Sequence, residues 1–196
     1  MNTRARTSPT LSSISSWHAG LGALLLLALS FLGGPVGASD FSPKESDFSV
    51  EAKTPLTGET AKTKLSLPGT EEIEIAWSNF RGTLDEVAYS VGYADLPPQL
   101  FPADAIREET IAKILKAAAE IQGASLGGKM EQNDEITLAG KYPGREVTVS
   151  LAGSPTIIHR AKLILVRHRL FLIRTSSPGY NENAEAFLDS FRVRGL

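Results

Sequence analysis

Cysteine is absent from this chain. That absence removes disulfides, thiolate metal sites and cysteine nucleophiles together. Histidine is scarce, with His18, His159 and His168 the complete set. Charge of one sign is also lacking. The formal net charge is −2 over 196 residues, which exerts no overall pull toward nucleic acid or anionic lipid. Long apolar runs are missing as well. The longest, Leu21 to Leu32, has 12 residues and is broken by Gly22 and Ser30. A helix needs about 20 apolar residues to cross roughly 30 Å of hydrocarbon.

What is present begins with an export signal. Residues 1–38 hold Arg4 and Arg6 and no acidic residue. A polar stretch leads into the short apolar run, and Gly33, Gly34 and Pro35 stop any helix. Val36-Gly37-Ala38 then offers small residues to a signal peptidase. Cleavage is expected after Ala38. No Cys stands at the exit for lipid attachment, and Arg4-Ala5-Arg6 is not a twin-arginine pair. The remainder carries 18 Lys and Arg against 22 Asp and Glu, so it is mildly acidic. Residues 39–47 read as a flexible lead-in and 48–196 as one globular domain, held by its core alone.

Alternation of apolar and polar residues marks the strands. Phe48 to Ala52 predicts a short one, and 53–63 a loop or edge. Ile73, Ile75 and Trp77 alternate with Glu72, Glu74 and Ala76, up to an expected turn at Arg81-Gly82. Val87, Tyr89, Val91 and Tyr93 share one face of the next strand. Its other face carries only Ala88, Ser90, Gly92 and Ala94, so something can pack closely there. Pro102 and Asp104 open a helix in which Ile111, Ile114, Leu115, Ala118 and Ile121 form one stripe, ending at Gly123. Glu131 to Glu135 reads as a polar turn. Tyr142-Pro143-Gly144 reads as a bend or loose turn between two strand segments. Ile157–Val166 and Leu170–Ile173 predict two strands joined by Arg167-His168-Arg169. A last helix starts near Asn181 or Asn183 and buries Ala184, Phe187, Leu188 and Phe191. Runs of strands separated by two helices place the chain in the α+β class, an antiparallel sheet flanked by helices.

Several stretches imitate chemistry. Gly123-Ala124-Ser125-Leu126-Gly127 matches a nucleophile elbow, with His159 and His168 downstream. An elbow needs its Ser between a strand and a following helix, whereas here the helix comes first. Gly123 with Gly128-Lys129 suggests a phosphate loop, but Met130 stands where Ser or Thr would hold Mg²⁺. Glu131, Asp134 and Glu135 lack the steps and the Gly of a calcium loop, and two histidines alone do not close a zinc site. No catalytic residue, metal or cofactor is assigned. The informative local feature is basic: Arg160, Lys162, Arg167, Arg169 and Arg174 fall in one predicted hairpin, with no acid among residues 157–181. They are the candidate contact surface for an anionic or acidic partner.

A family resemblance adds to this. Gly140-Lys141-Tyr142-Pro143-Gly144-Arg145-Glu146, the hairpin through Leu163–Ile173, and the ending Ala184-Glu185-Ala186-Phe187-Leu188-Asp189-Ser190-Phe191 carry its pattern. So does the strand Tyr89–Asp95 with its Leu96-Pro97 exit. In these the chain resembles the Mog1/PsbP-like fold superfamily, in its exported bacterial or photosynthetic members. The resemblance implies an α/β/α sandwich and a non-enzymatic role in binding or stabilising a protein partner. It carries over no functional residue.

The expectation is therefore an exported, non-catalytic binding or assembly domain with a protein partner. It would sit in the periplasm, the extracellular space or a thylakoid lumen, without nucleic acid and without membrane insertion after cleavage. Two alternatives stand beside it. One is a small-ligand carrier with a cavity lined by Ala88, Ser90, Gly92 and Ala94. The other is a serine hydrolase using Ser125 with His159 or His168.

Overall fold

The computed structural model describes residues 38–44, 46–65, 72–101 and 108–195. The expected leader and the helix start at Pro102 and Asp104 lie outside them. Seven strands form one antiparallel sheet. In chain order these are β3 (Thr57–Leu65), β4 (Ile73–Leu84), β5 (Val87–Asp95), β6 (Lys129–Leu138), β7 (Tyr142–Leu151), β8 (Ile157–Val166) and β9 (Arg169–Pro178). Their order across the sheet is β3-β4-β5-β9-β8-β7-β6. A smaller sheet joins β1 (Ser39–Phe41), β2 (Phe48–Ala52) and β10 (Arg192–Val193). Residues 39–47 thus include a short strand, in which Phe41 pairs with Val50.

The chain builds β3, β4 and β5 as a meander and then crosses one face through α1 (Glu108–Leu126). It starts again at the far edge with β6 and works back to β9, which settles against β5. The centre of the sheet is thus a seam between residues far apart in sequence. The second helix, α2 (Glu182–Asp189), covers the opposite face. The α+β class and the layering of helix, antiparallel sheet and helix hold.

Each face carries its own core because strand side chains alternate between faces. On the α1 face, Ile114, Leu115, Ala118 and Ala119 bury against Val147, Val149, Leu163 and Leu165. On the other, Phe48, Phe171, Phe187 and Phe191 pack with Tyr89 and Ile173. Each fully buried Phe contributes about 1.5–3 kcal/mol relative to exposure. Asn181 caps α2, its side-chain oxygen accepting from the backbone N–H of Asn183 at 2.9 Å and of Ala184 at 3.2 Å.

Four local expectations are corrected. Arg81-Gly82 is no turn but the interior of β4, and the turn falls at Asp85-Glu86, both with positive φ. Gly82 is there for close approach: a Cβ would sit 2.7 Å from the Pro55 carbonyl oxygen. Glu131 to Glu135 lies within β6, an edge strand, where Glu131, Asp134 and Glu135 are exposed and Gln132 and Asn133 half-buried. The turn before β7 is Ala139-Gly140-Lys141, so Tyr142-Pro143-Gly144 opens a strand. Finally, α1 runs past Gly123 to Leu126, and its Ile121 is 41% exposed rather than buried with the stripe. No helix among the described residues is long and apolar enough to cross a membrane.

Candidate functional site

On the α1 face, the β5 positions Ser90, Gly92 and Ala94 are small, while their neighbours on β4 and β9 are long. Register places Arg81, Ser90 and Arg174 in one row across β4, β5 and β9, with Asn79, Gly92 and Leu172 in the next. A row of small residues between two rows of long ones makes a trough. Its floor is Ser90 and Gly92, and its walls are Asn79 and Arg81 on one side, Leu172 and Arg174 on the other. The C-terminal half of α1 closes the top with Ile121 and Gln122. Two adjoining cavities result, of about 360 and about 290 Å³, and Arg81, Gln122 and Arg174 line both.

The first cavity continues along apolar side chains of Ile75, Trp77, Leu163, Leu170 and Leu172. The second reaches His159 on β8. The polar groups between them are unevenly satisfied. Arg81 pairs with Glu59 at 2.7 Å. The Asn79 amide turns its oxygen to Arg81 Nε and Nη2 at 2.6 and 2.9 Å and its nitrogen to Ser90 Oγ at 2.8 Å. Arg174 is largely buried and, among the described residues, donates to that hydroxyl alone, at 3.2 Å. Among the described residues it makes no ion pair. Burial first, and then the Arg81 guanidinium, push its pKa below the usual guanidinium range, while Glu59 acts the other way. His159 Nε2 is buried without a hydrogen-bond partner. Burial, and after it Arg174, holds that imidazole below its ordinary pKa.

The five basic residues read from the hairpin do not share one surface. Arg160 and Lys162 point to the α2 face, where Arg160 pairs with Glu146 at 2.6 Å and with Glu185, and Lys162 with Asp189 at 2.6 Å. Arg169 is tied to Asp95 and Asp47. Arg167 stands exposed in the turn between β8 and β9. Arg174 lines both cavities of the cleft, while Arg160 borders the second with its charge already paired to Glu146 and Glu185. The acid-free stretch found its acids through other elements, since Glu146, Glu185, Asp189, Asp95 and Asp47 all come from outside it.

Ser125 lies in the last turn of α1, and its hydroxyl donates to the Gln122 carbonyl oxygen at 2.8 Å. It borders the first cavity, whereas His159 borders the second. His168 is at the other end of β8 from His159, roughly 25–30 Å away at strand rise. The hairpin separates the two histidines instead of joining them. Among the described residues no group of three or more His, Asp or Glu is placed to hold a metal ion.

The sequence reading placed Trp77 on an apolar strand face and Arg81 in a turn, and assigned neither these nor Asn79 and Gln122 to a site. A signal existed for three of them. Asn79 and Arg81 continue the face of Ile73, Ile75 and Trp77 at period two, so polar groups extend an apolar face.

Fold and cleft together define a small α+β domain with a basic, partly apolar trough on one sheet face. No family model matches the chain, and no curated protein does. Among solved structures the chain is similar to cyanobacterial PsbP from Synechocystis sp., with a TM-score of 0.48 and 14% identity, over 85% of this chain and 98% of that one.

Proposed function

We propose that this chain is an exported, non-catalytic binding domain that holds its ligand in the cleft between α1 and strands β4, β5 and β9. The observation that carries this is Arg174: a largely buried cation lining both cavities, which makes no ion pair among the described residues and feels Glu59 only at longer range. Leaving a buried charge unpaired is costly, and folds retain such groups where something binds. Each cavity is near the lower end of the usual volume range for small-molecule sites, about 300–1,000 Å³. The Ser125 hydroxyl donates to the Gln122 carbonyl oxygen, and among the described residues no base hydrogen-bonds it, which favours binding over hydrolysis.

A protein partner is the second reading, favoured by β3. That strand is one of the two edges of the seven-stranded sheet, its residues from Thr57 to Lys64 are exposed, and it forms one lip of the cleft. A partner strand can add to such an edge. Of the basic residues first considered, Arg167 is the one positioned for such a contact without an acid already on it.

Native mass spectrometry of the protein, produced from the full chain and purified from its export compartment, tests the proposal. A small-molecule adduct is expected that is lost in Arg174→Gln. A stoichiometric protein partner and no adduct would replace the carrier reading with the assembly reading. A bare chain with neither would count against both.

A further inference from the structure

We infer that the cleft takes a small organic monoanion, a carboxylate head between Arg174 and Arg81 with a short apolar body lying along Trp77 and Leu172. This deepens the binding proposal above and rests on it.

The head is argued from the row Arg81–Ser90–Arg174. The two arginines are two strands apart, about 10 Å at the backbone, and only a serine stands between them. Their guanidinium groups therefore face a common gap. Guanidinium is the side chain best shaped to meet a carboxylate with two parallel hydrogen bonds. Arg81 already has Glu59 and Asn79 on one side, so its remaining donors and those of Arg174 set the charge of the gap. Neutral donors extend the site. Gln122 lines both cavities, and the buried, unpartnered Nε2 of His159 lies on the next row of the sheet, beyond Arg174. One negative charge matches Arg174, the guanidinium of this gap that makes no ion pair among the described residues. A phosphate dianion would exceed it.

The body is argued from the first cavity. Beyond the arginines its apolar walls are Ile75, Trp77, Leu163, Leu170, Leu172 and Ile121, and residues 61–64 of β3, with the paired Lys62 and Lys64, form its outer lip. Ile121 completes this wall from α1, which accounts for an exposed isoleucine on an otherwise buried stripe. A volume of about 360 Å³ suits a short chain or a single ring, not a long acyl lipid. The shape is selective for a reason visible in the floor. At Gly92 an added Cβ would fall 2.9 Å from the Ser78 carbonyl oxygen and 3.0 Å from the end of the Asn79 amide, so any larger residue there would disturb the cleft.

Three probes separate the parts: octanoate has head and body, 1-octanol the body alone, and inorganic phosphate the charge alone. Titration calorimetry on the protein produced from the full chain measures each. Fluorescence locates the binding, because Trp77 is the only tryptophan besides Trp17 of the expected leader. Octanoate is expected to bind one to one and to shift the Trp77 emission. Arg174→Gln should weaken it by about tenfold or more, and Arg174→Lys by less. Gln at this position relieves a buried charge, so the variant is expected to keep its fold, checked by its thermal midpoint. Gly92→Val, which fills the floor, should also abolish octanoate binding. If 1-octanol binds as tightly as octanoate, or Arg174→Gln leaves octanoate affinity unchanged, the anion assignment falls while the binding cleft stands. If phosphate binds and octanoate does not, the apolar body falls. If none of the probes binds and no adduct accompanies the native protein, the carrier proposal itself falls.

Discussion

Arg169 holds both carboxylate oxygens of Asp95, Nε to Oδ1 at 2.7 Å and Nη2 to Oδ2 at 2.9 Å. The two residues are 74 positions apart and directly opposite one another on β5 and β9. The same guanidinium reaches Asp47 at 3.1 Å and lies 4.6 Å from the centre of the Tyr93 ring. One arginine therefore ties together the seam of the sheet and the segment leading into β2. Arg169→Ala should lower stability by about 1–2 kcal/mol, read as a shift in the urea midpoint. Arg169→Lys should recover only part of this, because an ammonium cannot make the paired fork. Equal stability of all three proteins would show that the clamp does not contribute.

The same pair sets an acid limit. The Arg169 hydrogen bonds hold the Asp95 carboxyl below the usual carboxylate range, more than burial raises it. A depressed folded-state pKa gives stability that is present above the unfolded value of about 3.9 and is lost as pH falls through the folded value. Asp95→Asn should therefore flatten the decline of the thermal midpoint below pH 4 relative to the parent. Parallel declines would remove Asp95 from the acid response.

His159 acts in a higher window and with the same sign. Its pKa is depressed, so the folded protein favours the neutral ring. Below the unfolded value of about 6.5 the unfolded chain takes up the proton more readily, and stability falls as pH falls. Between pH 7.5 and 5.5 the parent should lose more thermal stability than His159→Gln. A variant that tracks the parent across this range would contradict the assignment.

Phe48 sits at the meeting point of five rings, with Phe41, Phe80, Tyr93, Phe171 and Phe191 at centroid distances of 5.9–6.5 Å. It is fully buried. Phe48→Ala should cost about 3–5 kcal/mol by chemical denaturation, and Phe48→Leu clearly less, since Leu leaves a smaller void. A loss near zero would mean that β2 does not belong to the cooperative core.

Gly144 is expected to tolerate no side chain. A Cβ there would lie 2.5 Å from the Leu163 carbonyl oxygen and 2.6 Å from Ile164 Cδ1 on the neighbouring strand. Gly144→Ala should lower stability by about 1–3 kcal/mol, because backbone cannot yield as a flexible side chain does. Unchanged stability would show that β7 and β8 can separate at this point.

This glycine also illustrates where sequence was read wrongly. Pro143-Gly144 resembles a turn, yet the turn is made by Ala139 and Gly140, both with positive φ. At Arg81-Gly82 the same error recurred, and again the glycine serves a close backbone approach. A Gly needed for space and a Gly needed for conformation look alike until the neighbouring strand is in place. By contrast, the face of Val87, Tyr89 and Val91 was legible, and so was the α2 cap to within the pair Asn181 and Asn183, because each depends only on residues a few positions away. The small face of β5 was legible too, together with its capacity to line a cavity. Its charged walls were not.

The sequence by itself determined the periods: which residues share a face of each strand, where the stripes of the two helices lie, and that no disulfide holds the fold. Those are local properties, set by the alternation of side chains along a strand and the pitch of a helix. Only the tertiary structure decided the neighbours. By bringing β9 against β5 it set Arg174 beside Ser90, 84 residues distant, and faced Arg81 across the same gap. It also sent Arg160, Lys162 and Arg169 to acids outside their hairpin, leaving Arg174 in the cleft without one. Strand pairing is a long-range choice made by two cores on opposite faces of one sheet, and no local pattern encodes which charges will meet across it.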